Sequence, residues 1–442
     1  MTDARRLERR LGLSGAVIIG LGACLGTGAF GGLAFSLDAA GGGWWLAILS
    51  AAAIALMSGL SAGRLAAANP VSGGTYEHAT RLLHPSLGRV AGWLFLVAKT
   101  ASLSAAAHAV AGGFLALAPP VGAWGRPLAA GAVILLLGGL VMGGLRRSVA
   151  AVGIGVAIAL AGLLAAVVGL RGDERLAVAA PAAAPDLPLA IALAFVAFTG
   201  FGRLATMGEE VRNPERTIPR SIVVVVLACA GLYLLVFGSL RGSVDPGELA
   251  TLARGSEAPL ASLAESRGRT ILAGAIALAG LAAMGSVGIN LLLGMSRVVL
   301  AMARRRDLPA AFATIDPGGS PRRAVAAVAV VTILVALATG LGSAWTLSTA
   351  AILPYYAITN LAALRLPDPR RIGRPIAIAG LGGTLLVAFH LAWSDLAIAL
   401  GVSVLLALVG GLLGPSTSGG ITGTGGAIRG GSGQVRGPSV EG

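Results

Sequence analysis

The sequence predicts an all-α polytopic membrane protein of twelve transmembrane helices. Ten of them form a 5+5 inverted repeat in which helices 1 and 6 are discontinuous. Three observations carry this expectation. The chain is 56% hydrophobic and only 12% charged, where soluble domains carry about 25% charged residues. Apolar stretches long enough to cross a bilayer recur from end to end, and they are continuous, which favours helices over a barrel. Two of these stretches are interrupted by glycine at matching depths. The abundance of glycine, 67 residues, also suits helices that pack closely in lipid.

Taken in order, a basic segment at 1–14 with Arg5, Arg6, Arg9 and Arg10 leads into spans at about 15–36, 44–68, 89–117, 127–144, 149–170, 187–208, 218–240, 270–303, 324–342, 345–364, 376–393 and 395–413. The core is 15–364, with repeats of about 15–170 and 187–364, and 376–413 holds helices 11 and 12. Residues 414–442 are rich in Gly, Ser and Thr and too poor in large apolar side chains to fold, so a disordered tail is expected. The formal net charge of +14 is no nucleic-acid signal, because it sorts by side. Arg146 and Arg147, Arg304 to Arg306, and Arg370, Arg371 and Arg374 fall on the same face as the basic N-terminus. The positive-inside rule then places both termini in the cytoplasm, with the chain in the cell membrane and lipid as its surrounding partner. Cys24 and Cys229 both lie inside spans and define neither a disulfide framework nor a metal site.

The first interruption is "GLGACLGTGAF", Gly20–Phe30, and the second is "AFVAFTGFGRLA", Ala194–Ala205. Both hold Thr-Gly followed closely by Phe. With span 1 entering from the cytoplasm and span 6 from outside, a five-helix unit repeated upside down accounts for the pair. Breaks at equivalent points of such repeats mark a binding site. Residues 26–28 lie about 12 residues, or ~18 Å, into their span, and the hydrocarbon core is about 30 Å thick, so both breaks fall near the midplane. A broken helix exposes N–H and C=O groups that lipid cannot satisfy. N-terminal ends suit a carboxylate and C-terminal carbonyls suit an ammonium, so a zwitterion completes both.

Lys99 in "LFLVAKTASLS" is the only lysine; every other cationic side chain is arginine. It lies at the same depth, and an intramembrane ionisable residue marks function by default. Three roles compete. Lys99 can release and regain a proton during a cycle, which arginine cannot do. It can stay charged and pair with a substrate carboxylate or span-1 carbonyls. It can fill a polar pocket for structural reasons. No carboxylate lies near the breaks to offset a dication, which favours neutral solutes; the orientation of Arg203, the other nearby cation, is left open.

Four motifs in order now show a resemblance. They are the span-1 run, "NPVSGGTYEHATR" (Asn69–Arg81), "FVAFTGFGRLATMGEEVRNPERTIPRSI" (Phe195–Ile222) and "SRVVLAMARRRDLPAAF" (Ser296–Phe312). Over about residues 12–365 the chain resembles the amino acid–polyamine–organocation (APC) family of secondary transporters. The resemblance implies that Gly26, Thr27 and Gly28 bind a substrate carboxylate, that Phe198, Thr199 and Gly200 offer carbonyls to its amino group, and that Phe201 is a lid, with ordinary packing as its alternative. Gly202 stands where many relatives carry Glu. Span 5 lacks the lysine of some proton-coupled relatives, which leaves Lys99 as the candidate coupling residue.

Gly202, Arg203, Ser286, Asn290, Tyr355 and Tyr356 are candidate pathway or gate positions, although a helix Ser more often bonds its own backbone. Glu77, Glu209 and Glu210 are candidate inner-gate charges, with Arg81, Arg212 or Arg216 as partners, or simply solvated. His108 and His390 fall inside spans. The Gly-x-Gly run lacks the preceding strand of a dinucleotide loop, and no catalytic triad, metal set or phosphate loop is present. The expected function is secondary active transport of neutral amino acids by alternating access, coupled to protons or to exchange, with no enzymatic activity, no cofactor and no nucleic-acid partner. A membrane sensor that binds the same ligand without net transport, or a transporter of another small amine, stays open.

Overall fold

The structure, a computed structural model, describes residues 9, 11–115, 122–170, 186–240, 258–317, 319–367 and 371–413. The first eight residues, residues 241–257 and the tail 414–442 lie outside that set, so the expected disorder of the tail is not addressed. All regular structure among the described residues is helical. Nine helical stretches there are long and apolar enough to cross a membrane.

The first stretch comprises α1 (Leu13–Thr27), a π-helical turn at Gly28–Gly32 and α2 (Leu33–Ala40). Then come α3 (Trp44–Ala68), a short α4 (Thr75–Leu82), α5 (Pro85–Leu115), α6 (Gly125–Met142) and α7 (Leu145–Gly169). The second interrupted stretch is α8 (Leu187–Phe198), a 3₁₀ turn at Thr199–Phe201 and α9 (Gly202–Ala205). It is followed by α10 (Pro214–Leu240), α11 (Pro259–Ser266), α12 (Thr270–Arg304), α13 (Arg322–Ala338), α14 (Leu341–Ala363), α15 (Gly373–Ala388) and α16 (Trp393–Leu413). Helices α13, α14 and α15 occupy the positions of expected spans 9 to 11 but are not among the nine, being shorter or less apolar. His390, expected inside a span, lies beyond the end of α15 with an exposed ring.

Local chemistry sets several boundaries. The Asp186 carboxylate accepts from the Leu189 N–H at 3.0 Å, and Pro188 occupies the first turn, so α8 starts with a side-chain cap and a residue pre-set for helix. The α3–α4 turn needs Gly73 (φ +111°) and Gly74 (φ +57°), where a side chain would be strained.

Small residues let the long helices touch. On α7, a Cβ at Gly155 would lie 2.9 Å from Ala282 O of α12, and one at Gly162 would run into the Ala279 methyl. The same logic holds across the bundle. Helix α12 packs on α7 and α5 on α14; α3 packs on α10 and α5 on α12. Helix α1 meets α10 while α8 meets α3, and α6 meets α13. The outermost helix, α16, leaves Leu405 and Leu408 exposed, each at 61%, as a lipid-facing helix requires.

The Gly162→Leu variant tests this close packing. It is expected to push α7 off α12 and to destabilise the fold by about 1–3 kcal/mol, read as a lower midpoint of thermal unfolding of the detergent-purified protein. Gly274→Leu on α12, where an added Cβ meets nothing, should leave the midpoint unchanged.

Candidate functional site

Both interruptions fall at the residues the sequence singled out, but neither is an unwound gap. At Gly28 the chain passes from α to π geometry, and at Thr199 it tightens to 3₁₀. At each change of hydrogen-bond register carbonyls carry side-chain donors, in places beside a backbone one: Cys24 O also accepts from the Gly28 N–H and Thr199 O from the Gly202 N–H. The Tyr233 hydroxyl of α10 donates between Cys24 O at 2.9 Å and Ala197 O at 3.2 Å. The Cys24 thiol points to Phe198 O at 3.5 Å. The Tyr356 hydroxyl of α14 donates to Thr199 O at 3.1 Å. Thr199 returns its own hydroxyl to Val196 O at 2.9 Å and accepts from Lys99 Nζ at 3.2 Å. Lys99 is only 6% exposed. An aromatic chain closes over this point: Tyr356 lies 5.0 Å from Phe201, 5.6 Å from Phe195 and 5.0 Å from Tyr355, and Tyr355 lies 5.2 Å from Phe95.

The glycines here are consequences of close approach. A Cβ at Gly200 would lie 2.6 Å from the Ala23 carbonyl carbon, so the 3₁₀ turn and α1 meet backbone to backbone. Side chains at Gly28 and Gly202 would collide with the hydroxyls of Tyr233 and Tyr356. Gly202 is therefore the space in which Tyr356 caps Thr199. Gly26 faces elsewhere, with its Cβ position 2.6 Å from Ala283 O of α12. The side chain of Thr27 lies outside the described residues. Ser286 and Asn290 stand apart from Lys99 and turn to α7 and α1. Each bonds its own helix, Ser286 to Ala282 O at 2.9 Å and Asn290 to Ser286 O at 3.0 Å.

Arg203 points away from Lys99, toward the end of the bundle where Leu11 pairs with Glu210 and Arg212. Its guanidinium donates to Thr206 at 3.0 Å and lies 3.6 Å from Glu210, whose other oxygen takes Arg297 of α12 at 2.6 Å. Glu210 is 2% exposed and Arg297 1%. Burial works to raise the Glu210 carboxyl, but the charges of Arg297 and Arg203 and their hydrogen bonds outweigh it and hold the group below the usual carboxylate range. Around this triad, Glu77 takes Arg305 through both oxygens at 2.6 and 2.7 Å and also takes Arg81. Glu209 pairs with Arg304 at 3.0 Å, and Tyr76 donates to Asp307 at 2.6 Å. Arg81 is thus the expected partner of Glu77, but Arg304 and Arg297 replace Arg212 and Arg216 as partners of Glu209 and Glu210. Arg297 and Arg304 lie seven positions apart, two turns of one helix face, and that face covers the loop that holds both glutamates.

The amino acid permease family model matches residues 15–409. The chain belongs to this family. An uncharacterized transporter of Mycobacterium tuberculosis is 38% identical over 399 residues, 88% of each chain. The branched-chain amino acid permease BcaP of Bacillus subtilis is 26% identical over 342 residues, 71% of each chain. The vacuolar cationic amino acid transporter 2 of Arabidopsis thaliana is 28% identical over 342 residues, which cover 71% of this chain and 53% of the relative. The protein is therefore a multi-pass membrane protein of amino acid transport. The names of its relatives span branched-chain and cationic substrates, so substrate class has to be argued from this permease's own site.

Sequence reasoning missed Tyr233 as a cap and Arg297 as the partner of Glu210. A signal for Tyr233 was present. The permease has four tyrosines, and one deep in "ACAGLYLLVF" departs from the interfacial belt where membrane tyrosines gather.

Removing the carboxylate from the buried triad should be costly. Glu210→Gln leaves two buried guanidiniums unpaired and is expected to cost about 3–5 kcal/mol, measured as a fall in thermal midpoint. The pH dependence has a definite sign. Because the folded Glu210 titrates below its unfolded counterpart, its contribution is complete above the ordinary carboxylate range and is lost as pH falls through the depressed folded value. The wild-type permease should lose more stability on acidification than Glu210→Gln does. Equal acid sensitivity of the two proteins would contradict the assignment.

Proposed function

We propose that this permease is a secondary active transporter of neutral amino acids that works by alternating access, with coupling to protons or exchange. The observation that carries the reading is the Lys99–Thr199 contact at 3.2 Å, set among carbonyls at the two register changes to which tyrosine hydroxyls donate. A substrate ammonium presents N–H donors that can take the place of the Tyr233 and Tyr356 hydroxyls at Cys24, Ala197 and Thr199. Its carboxylate is received at the N–H groups around Gly26, Thr27 and Gly28, with Lys99 alongside. Phe201 and Tyr356 close over the solute, and Tyr355 extends that closure. Arg203 is turned to the Glu210–Arg297 pair, so Lys99 is the site's own charge. A dicationic substrate meets that charge unopposed, which disfavours polyamines.

A 5+5 arrangement of 15–170 and 187–364 is supported by the packing. Exchanging each helix of the first half for its counterpart in the second turns the α12–α7 pair into α5–α14 and the α1–α10 pair into α8–α3, and it leaves α3–α10, α5–α12 and α6–α13 unchanged. In this reading twelve spans lie in the cell membrane with both termini cytoplasmic, and the glutamate–arginine pairs of the N-terminal face close the cytoplasmic side.

Counterflow of labelled neutral amino acids in proteoliposomes is the test of transport, and a protein that binds but does not exchange label is a sensor instead. For Lys99, Lys99→Met and Lys99→Arg should both reach the membrane and lose the pH dependence of uptake. Wild-type uptake by Lys99→Met at every pH would leave Lys99 a purely structural role.

A further inference from the structure

The N-terminal face holds a cavity of about 600 Å³, lined by the glutamate–arginine pairs that close the cytoplasmic side in the proposed function. Its walls come from the α3–α4 loop, the end of α12, the loop after α9 and the segment before α1. Four arginines line it, Arg9, Arg81, Arg304 and Arg305, against two carboxylates, Glu77 and Glu209. Those carboxylates are engaged. Glu77 is gripped by Arg305 and Arg81, and Glu209 by Arg304 and by the Ser72 N–H at 3.1 Å. The cavity therefore keeps an excess of positive charge after its internal pairs are formed.

Two further atoms on its wall identify the missing chemistry. Asn69 accepts from Arg81 through Oδ1 at 3.2 Å. Since a guanidinium only donates, that bond fixes the amide orientation, and the remaining Asn69 Nδ2 is a buried donor without a partner. Ser72 is 3% exposed, and its Oγ is likewise buried and unpartnered. Free donors beside surplus guanidiniums call for an acceptor with several oxygens. The volume suits a small organic molecule and is far larger than a bare ion needs.

We propose that this cavity is a binding site for a multiply charged phosphate-class anion, carried by a soluble organic phosphate or by a phospholipid headgroup. The anion bridges Arg81, Arg304 and Arg305 and takes hydrogen bonds from Asn69 and Ser72. Because the four walls must be together to form the site, the ligand binds only this arrangement of the N-terminal face and shifts the population toward it. The ligand thus regulates the permease by holding its cytoplasmic side closed, a role that rests on the proposed function.

The test uses the full chain, with pyrophosphate as the probe. Sodium pyrophosphate should raise the thermal midpoint saturably above that in sodium chloride of equal ionic strength. The Ser72→Ala/Asn69→Leu double variant and Arg81→Gln should each weaken the apparent affinity about tenfold or more. Comparison of nanodiscs of phosphatidylcholine alone with nanodiscs that also contain phosphatidic acid separates the two sources. A headgroup ligand makes the pyrophosphate shift of the wild type shrink when phosphatidic acid is present, and a soluble ligand leaves it unchanged. Stabilisation no greater than that of chloride, or an equal pyrophosphate shift in the wild type and both variants, overturns the proposal.

Discussion

The central constraint is the need to keep backbone carbonyls hydrogen-bonded inside a bilayer where the helices change register. Lipid supplies no donor, and an unpaired carbonyl there costs several kcal/mol. At the junction of α1 and α8 the side chains of Tyr233, Tyr356, Cys24 and Thr199 meet that need. Much of the surrounding sequence follows. Gly28 and Gly202 are small because tyrosine hydroxyls fill the space that side chains would take, and Gly200 is small because α1 touches the turn directly. Phe95, Phe195, Phe198 and Phe201 pack against the buried tyrosines, and at low local dielectric each of these hydrogen bonds is electrostatically stronger.

A second, separate polar knot holds the N-terminal face. Arg203 and Arg297 would each be unaffordable alone at their burial, and Glu210 makes both tolerable. The neighbouring pairs, Glu77 with Arg305 and Glu209 with Arg304, tie the α3–α4 loop and the loop after α9 to the same end of α12. Short backbone pairings of Leu11 with Glu210 and Arg212, and of Ser72 with Met207, add to the closure. Three segments distant in sequence thus meet through ion pairs, and a modest change at one pair alters the fit of all three.

How far these features could be read beforehand differs by kind. Helices were legible because long apolar runs have one solution in lipid. The position of the two interruptions was legible from Thr-Gly-Phe runs, but their form was not, since π and 3₁₀ turns depend on what fills the displaced hydrogen bonds. Lys99 was legible by rarity and depth, and its partner Thr199 lies in one of the motifs already marked. The direction of Arg203 was not legible. A cation four residues from the midplane break at Thr199 and seven from a glutamate has two plausible fates, and only the approach of Arg297 from α12 decides between them. Ser286 and Asn290 each bond their own helix, the alternative the sequence also offered. Polar side chains in an apolar helix attract functional readings, while their nearest acceptor is usually the carbonyl one turn back.

The two polar knots are close in sequence because α9 has only four residues. At 1.5 Å per residue it is about 6 Å long, and it carries Thr199 and its turn at one end and Thr206 and the Glu210 loop at the other. Arg203 lies within it and bonds Thr206. So short a helix has no room to bend and moves as one piece. In the proposed cycle a shift of the Thr199 turn reaches Arg203, which bonds Thr206 and lies 3.6 Å from Glu210. Two discrete arrangements joined by a rigid element are what coupling between sites requires physically. Lys99–Thr199 and Arg203–Glu210 stand on either side of α9, so in the proposed cycle a connection between them needs no longer pathway through the bundle.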